Sequence, residues 1–295
     1  MLFLTTFSLY AIASSLAIFQ LGEYSSVFFC ILQYTKSNVC NISEENMEEL
    51  AEHYEGCRCQ SDRCFPAAAG SCSCIDRFGP SYDTNSYLLD VVPYTDLLRP
   101  VLECNDDCLC GHSCSNRVVQ HGVTVKLQVF DVGNKGVGVR TLQPIARGRF
   151  VCEYSGELLS YGSARSRSAY TNLATHNYIL EVREFFGAKS LATYVDATYA
   201  GNVGRFINHS CDPNLFVQPV RVENAIPRVA LFSLRDIPIY TELTYDYAGG
   251  VNMMAEYDFS CTPGSCESKM PRKPCLCGFS HCRLFLPYDN ALLMS

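Results

Sequence analysis

The sequence predicts a mainly β fold with few helices, built from short, curved sheets and flanked on both sides by cysteine-rich metal-binding modules. Three observations carry that expectation. From residue 120 to 250, Pro and Gly recur every ten to twenty residues and no long helical period appears, so the chain turns too often for anything but short strands. Nine cysteines lie between Cys57 and Cys114. Near the end, CLCGFSHC at 275–282 spaces Cys275, Cys277 and Cys282 as C-x-C-x4-C, three ligands of a tetrahedral site that lacks its fourth.

Composition sets the outer bounds. With 295 residues, 48% hydrophobic and 18% charged, the chain can bury a substantial core in one large or two modest domains. Its formal net charge of -7 argues against broad binding to nucleic-acid phosphates, which takes clustered Lys and Arg, and suits a basic partner. Eighteen cysteines permit disulfides in an oxidising compartment or thiolate-metal sites in a reducing one. Spacing separates the two.

Residues 1–22 carry no charged side chain, which is long enough for a membrane span or a signal peptide. The positive flank of a signal peptide is missing, and Ser, Thr and Tyr dilute the apolar run. Residues 1–40 are therefore read as an apolar leader of open status, with a gene-model extension or an unrelated leader as the plain alternative to a signal, and no membrane role is expected. Secretion would make Asn41 and Asn208 glycan acceptors, and a glycan on Asn208 would sit inside the candidate site, which argues against it. Residues 43–55, SEENMEELAEHYE, read as a short acidic helix with Ser43 as N-cap and Asn46 where a full capping box has Glu or Gln.

In the first cysteine set, Cys57, Cys59, Cys64, Cys72, Cys74, Cys104, Cys108, Cys110 and Cys114, the C-x-C pairs are too close in sequence for an easy mutual disulfide but well placed to grip one ion. An odd count also frustrates complete pairing. Three tetrahedral zinc ions need twelve ligand positions, and nine thiolates fill them if three sulfurs each bridge two ions. Such a cluster carries a formal charge of about -3, which Arg58, Arg63, Arg77 and Arg117 are expected to offset. Residues 78–100, rich in Tyr, Asp and Ser, read as an exposed loop.

Strands are expected at 124–130, 134–140, 149–157, 177–183 and 194–199, with a short helix or loop over 160–176. The Gly136-Val137-Gly138 step is a weak signal whose plain meaning is a tight hairpin. Tyr245 and Tyr247 alternate along LTYDY at 243–247 and share one face; alone, they describe two core tyrosines.

The organising stretch is VGRFINHSCDPN at 203–214. Its string RFINHSCDPN, followed by LTYDY, resembles the SET-domain protein lysine methyltransferases, and the resemblance extends over roughly residues 50–289. It implies a SET fold with a pseudoknot, in which 203–214 threads a loop closed by LTYDY, against the usual unthreaded topology. It implies a pre-SET zinc-cluster domain at 50–119 with three zinc ions, a SET catalytic domain at 120–249, a linker loop at 250–270 and a post-SET zinc motif at 271–288. Cys211 would complete the site of Cys275, Cys277 and Cys282 around one further zinc, with His281 as the alternative ligand.

The same resemblance implies S-adenosylmethionine as methyl donor, contacted by Lys135, Gly136, Val137, Tyr178, Arg205, Asn208, His209 and Leu276. A lysine channel would be lined by catalytic Tyr154, Tyr178, Tyr245 and Tyr247, with Tyr247 at the methyl-transfer point. This fits the chemistry, because in-line methyl transfer to an amine needs alignment, a neutral lysine and no water, and aromatic faces hold the ammonium by cation-π attraction. Val137 and Leu180 stand where relatives commonly have aromatics. Tyr245 matches a position where the family alternates Phe and Tyr, and its hydroxyl would crowd further methyl groups, favouring mono- and dimethylation.

By resemblance the substrate is a histone H3 tail in the nucleosome, the location nuclear and chromosomal, and strong direct nucleic-acid binding is not expected. Two other readings stand beside this one: a catalytically silent SET-type chromatin-binding module, and a secreted disulfide-rich protein. Cys30, Cys40, Cys152, Cys261 and Cys266 are expected to be ordinary thiols.

Overall fold

The computed structural model describes residues 33–40, 52–59, 64, 72–76, 78–91, 100–170, 177–186, 189–248 and 273–287. The strands are β1 (Gln33–Tyr34), β2 (Val39–Cys40), β3 (Val101–Leu102), β4 (Leu127–Asp131), β5 (Val137–Thr141), β6 (Phe150–Glu153) and β7 (Glu157–Leu159), then β8 (Ile179–Phe186), β9 (Lys189–Asp196), β10 (Ala200–Gly201), β11 (Asn208–His209), β12 (Leu215–Arg221), β13 (Arg228–Ser233) and β14 (Glu242–Tyr245). Two helices, α1 (Ser73–Asp76) and α2 (Tyr161–Tyr170), accompany them. Their sheets are small: β1-β10, β11-β14-β5-β4, β3-β12-β13-β6 and β2-β7-β9-β8.

The antiparallel pair β12-β13 divides the interior. Its register sets Phe216 opposite Phe232 and Val217 opposite Leu231, and alternation sends these two pairs to opposite faces. Leu215, Val217, Val229 and Leu231 join one core with Val139, Ile207 and Leu243. Phe216, Val220, Ala230 and Phe232 join the other, with Val101, Val119 and Phe150. All seven residues of β12 are buried, as a strand covered on both faces requires. A one-residue slip would exchange the two cores.

Three expectations need correction. Residues 78–91 are not an exposed loop: Tyr82, Leu88 and Val91 are buried in the second core, and the Tyr82 hydroxyl donates to Glu103 Oε1 at 2.7 Å. Polar neighbours in sequence hid three apolar anchors. Of the leader expected over 1–40, the end is built into the sheets, β1 pairing in parallel with β10 and β2 with β7; residues 1–32 lie outside the described residues. Residues 52–55, the end of the expected acidic helix, are not helical, and the Tyr54 amide donates to Glu223 O; residues 41–51 lie outside the described residues. No helix among the described residues is long and apolar enough to cross a membrane.

Candidate active site and cysteine clusters

Two strands far apart in sequence build the site. β11 pairs in parallel with β14, setting Asn208 opposite Thr244 and His209 opposite Tyr245. The Asn214 side chain reinforces the pairing, donating to Glu242 O and accepting from Thr244 N. The segment 203–214 is thereby stitched along the ELTYDY strand.

Alternation on β14 sends Leu243 and Tyr245 inward, and Tyr247 follows them. The Tyr245 and Tyr247 rings lie 4.9 Å apart between centroids. Tyr154, at the end of β6, and Tyr245 belong to the first core, and Tyr178 and Tyr247 pack against it. The Tyr154 hydroxyl donates to Tyr178 O at 2.6 Å, and the Tyr247 hydroxyl to Ile207 O at 3.0 Å. With their protons committed to main-chain carbonyls, these two phenol oxygens keep lone pairs that can accept. Burial pushes Tyr154, Tyr245 and Tyr247 above the ordinary phenol range, so all three stay neutral near pH 7. Leu180 is buried in the same core.

Most of the expected cofactor residues contact this cluster or one another. The Arg205 guanidinium stacks 4.0 Å from the Tyr178 ring centroid and 5.2 Å from that of Phe206. Its Nε is buried without a hydrogen-bond partner among the described residues. Asn208 Nδ2 donates to Val137 O and to Glu242 Oε1, both at 3.1 Å. Lys135 Nζ lies 2.5 Å from Glu242 Oε2. Gly136 adopts φ 75°, a left-handed conformation that favours glycine. Leu276, on the tail, is about half exposed, at 49%.

His209 is 4% exposed and accepts a hydrogen bond at Nδ1 from the Tyr247 amide, 3.2 Å. Its proton therefore sits on Nε2, which faces Cys211 Sγ at 3.4 Å. Burial pushes its pKa down to about 4, so it is neutral and serves as a link rather than a base. That link joins Tyr247 to the second cysteine set.

The thiols of Cys211, Cys275, Cys277 and Cys282 lie within 4.8 Å of one another. Cys211 Sγ is 3.8 Å from Cys275 Sγ and 3.9 Å from Cys282 Sγ. A tetrahedral zinc with Zn–S bonds of about 2.3 Å separates its sulfurs by about 3.8 Å. The set fits zinc. His281 does not join it and pairs with the Ser280 hydroxyl. The Arg283 guanidinium also reaches back to the strand, 2.6 Å from Asp246 Oδ2.

In the first set, Cys57, Cys64, Cys72, Cys104, Cys108, Cys110 and Cys114 fall into three overlapping four-thiol groups, with shared sulfurs as bridging requires. Sulfur separations of 3.6 to 4.0 Å recur, far beyond a disulfide bond. Cys74 is buried among them and Cys59 packs against them. Main-chain amides of Cys57 and Asn105 donate to Cys108 Sγ, each at 3.2 Å, which suits a thiolate. Of the four expected charge partners, Arg117 is buried and donates to Cys110 Sγ. Arg58 is exposed; Arg63 and Arg77 lie outside the described residues. Cys40 is exposed and Cys152 fully buried, whereas Cys30, Cys261 and Cys266 lie outside the described residues.

Sequence reasoning missed Glu242, Asp246 and Arg283. The signal was available: Glu242, Thr244 and Asp246 alternate with the tyrosine face, and acids so placed along a buried strand need partners.

A buried tyrosine cluster beside a glycine hairpin, linked through His209 to one of two thiol sets that fit zinc, is the arrangement of a methyltransferase of the SET type. The SET domain model matches residues 136–248. The chain is similar to histone-lysine N-methyltransferase SETMAR of Mus musculus, at 42% identity over 268 residues, covering 89% of this chain and 83% of that protein. Among solved structures it is similar to the methyltransferase domain of human SETMAR, with a TM-score of 0.71 and 38% identity over 92% of this chain and 93% of that one. It is also similar to KRYPTONITE in complex with mCHH DNA, H3(1-15) peptide and SAH, with a TM-score of 0.64 and 30% identity over 87% and 48%. The chain belongs to the SET-domain histone-lysine N-methyltransferase family.

Proposed function

We propose that the chain transfers one or two methyl groups from S-adenosylmethionine to a lysine of the histone H3 tail, acting on chromatin in the nucleus. The observation that carries this is the cluster of Tyr154, Tyr178, Tyr245 and Tyr247 in one apolar environment, with the Tyr154 and Tyr247 protons committed to main-chain carbonyls. Such a wall excludes water and holds an amine by its N–H groups and by cation-π attraction. The cofactor, when bound, supplies the methyl group and a positive charge that favours the neutral amine.

The residues of this chain fit that cofactor. The orphaned Arg205 Nε offers an N–H to a carboxylate, the Gly136–Gly138 turn admits a close approach, and Asn208 stands beside that turn. KRYPTONITE, a relative in fold, was solved with an H3 peptide and SAH, and the chain's net charge of -7 complements a basic tail rather than phosphate. Cys57, Cys59, Cys64, Cys72, Cys74, Cys104, Cys108, Cys110 and Cys114 would hold the first zinc ions, and Cys211, Cys275, Cys277 and Cys282 the last.

The test is mass spectrometry of recombinant nucleosomes and free histones after incubation with the zinc-loaded full chain and S-adenosylmethionine. One or two added methyl groups on a single H3 lysine are expected. A folded protein that binds cofactor yet modifies no histone would contradict the assignment of substrate.

A further inference from the structure

We propose that Glu242 is a positioning residue for the methyl donor: its carboxylate fixes the Asn208 amide so that Oδ1, and not Nδ2, faces the cofactor. This rests on the reading that the site binds S-adenosylmethionine. Asn208 carries two N–H bonds on Nδ2 and acceptor lone pairs on Oδ1. Its nitrogen is flanked at 3.1 Å by Val137 O and at 3.1 Å by Glu242 Oε1. Neither of these oxygens can donate, so a flipped amide would set its oxygen against two acceptors. The orientation of the amide is therefore fixed by the chemistry of its two neighbours.

Val137 O alone would hold the amide by one bond; Glu242 supplies the second and adds charge. Glu242 is itself held, with Lys135 Nζ 2.5 Å from its other oxygen. It starts β14, opposite Arg140 of β5, and so stands between the glycine hairpin and β11. Gly138 keeps room for the arrangement. A Cβ there would come within 2.5 Å of Val132 Cγ2, 3.0 Å of Asn208 Nδ2 and 3.2 Å of Glu242 Oε1. The second glycine of the Gly-x-Gly step therefore serves the amide as well as the turn.

An acceptor held in this way selects an N–H donor. The cofactor offers two, the α-ammonium of its amino-acid part and the exocyclic amine of its adenine.

The experiment compares two uncharged replacements of similar length, Glu242→Gln and Glu242→Met, by calorimetric titration of S-adenosylhomocysteine into the zinc-loaded full chain. Both variants remove the charge partner of Lys135, but only Gln keeps an acceptor for Asn208. Glu242→Met is expected to bind about tenfold more weakly than the parent, and Glu242→Gln within about threefold of it. S-inosylhomocysteine, which has a carbonyl in place of the adenine amine, identifies the donor. A tenfold loss that persists with this analogue assigns the α-ammonium; a loss that vanishes assigns the adenine amine, and either result supports the proposal. Unchanged affinity in Glu242→Met, or equal losses in both variants, would overturn it. A parent protein that does not bind S-adenosylhomocysteine at all would overturn the cofactor reading, and this proposal with it.

Discussion

At the scale of single residues, the site is a set of buried polar groups whose partners dictate their states. Tyr245 illustrates this. It is 4% exposed and its ring lies against that of Tyr247; on the proposed function its hydroxyl would take up room that a growing methylammonium needs. Tyr245→Phe removes one oxygen and little else. The expected outcome is a shift of H3 product from mono- and dimethyl toward trimethyl, read by mass spectrometry at a long reaction time.

Glu153 offers a test in the opposite sense, because its burial works against folding. It is 4% exposed, and Oε1 has no hydrogen-bond partner among the described residues. Burial raises its pKa to about 7, with Arg228 pulling the other way. A carboxyl raised in the folded state contributes fully below its unfolded pKa, and that contribution is lost as pH rises through 7. Glu153→Gln is therefore expected to raise the thermal midpoint relative to the parent at pH 8 and to narrow that gap at pH 5. Scanning calorimetry at the two values checks it.

At the scale of elements, the tail 273–287 is fastened to the core by two devices. One is the four-thiol set completed by Cys211. The other is the ion pair of Arg283 with Asp246, partly buried at 24% and 12% side-chain exposure. Breaking one partner of such a pair leaves the other charge short of solvent and partner alike. Arg283→Ala is expected to lower kcat/KM for an H3 peptide about tenfold while the zinc content stays that of the parent. An unchanged kcat/KM would show that the metal alone seats the tail.

Much of this scale was legible in the sequence. Spacing favoured thiol sets over disulfides, because C-x-C pairs resist a mutual disulfide and nine cysteines cannot all pair among themselves. Alternation placed Tyr245 and Tyr247 on one face. What stayed hidden needed the third dimension. Tyr82, Leu88 and Val91 stand among polar residues and gave no period, yet each fills the second core. The strands at 33–34 and 39–40 are too short to carry a pattern and acquire their structure from β10 and β7. Glu242 and Asp246 were overlooked because the tyrosines between them drew the reading to the opposite face.

At the scale of the whole molecule, metal and active site are one structure. From Cys211 a hydrogen-bonded path runs through His209 to the Tyr247 main chain, and the first thiol set is buried as a core of its own. Elemental analysis is expected to find one zinc for each of the four thiol groups. Gentle chelation should empty the half-exposed Cys211 site before the buried ones. Activity should be lost with that first ion while far-UV circular dichroism is retained. Simultaneous loss of all ions with the fold would contradict two separate modules.

The central claim is that Tyr247, and not a base or a metal, presents the lysine for methyl transfer. The most direct measurement is single-turnover methylation of an H3 peptide by Tyr247→Phe, alongside its affinity for S-adenosylhomocysteine. The expected result is a rate reduced about a hundredfold or more with cofactor affinity within about twofold of the parent. A variant that keeps the parent's rate would contradict the account, since the hydroxyl anchored on Ile207 O would then have no part in the reaction.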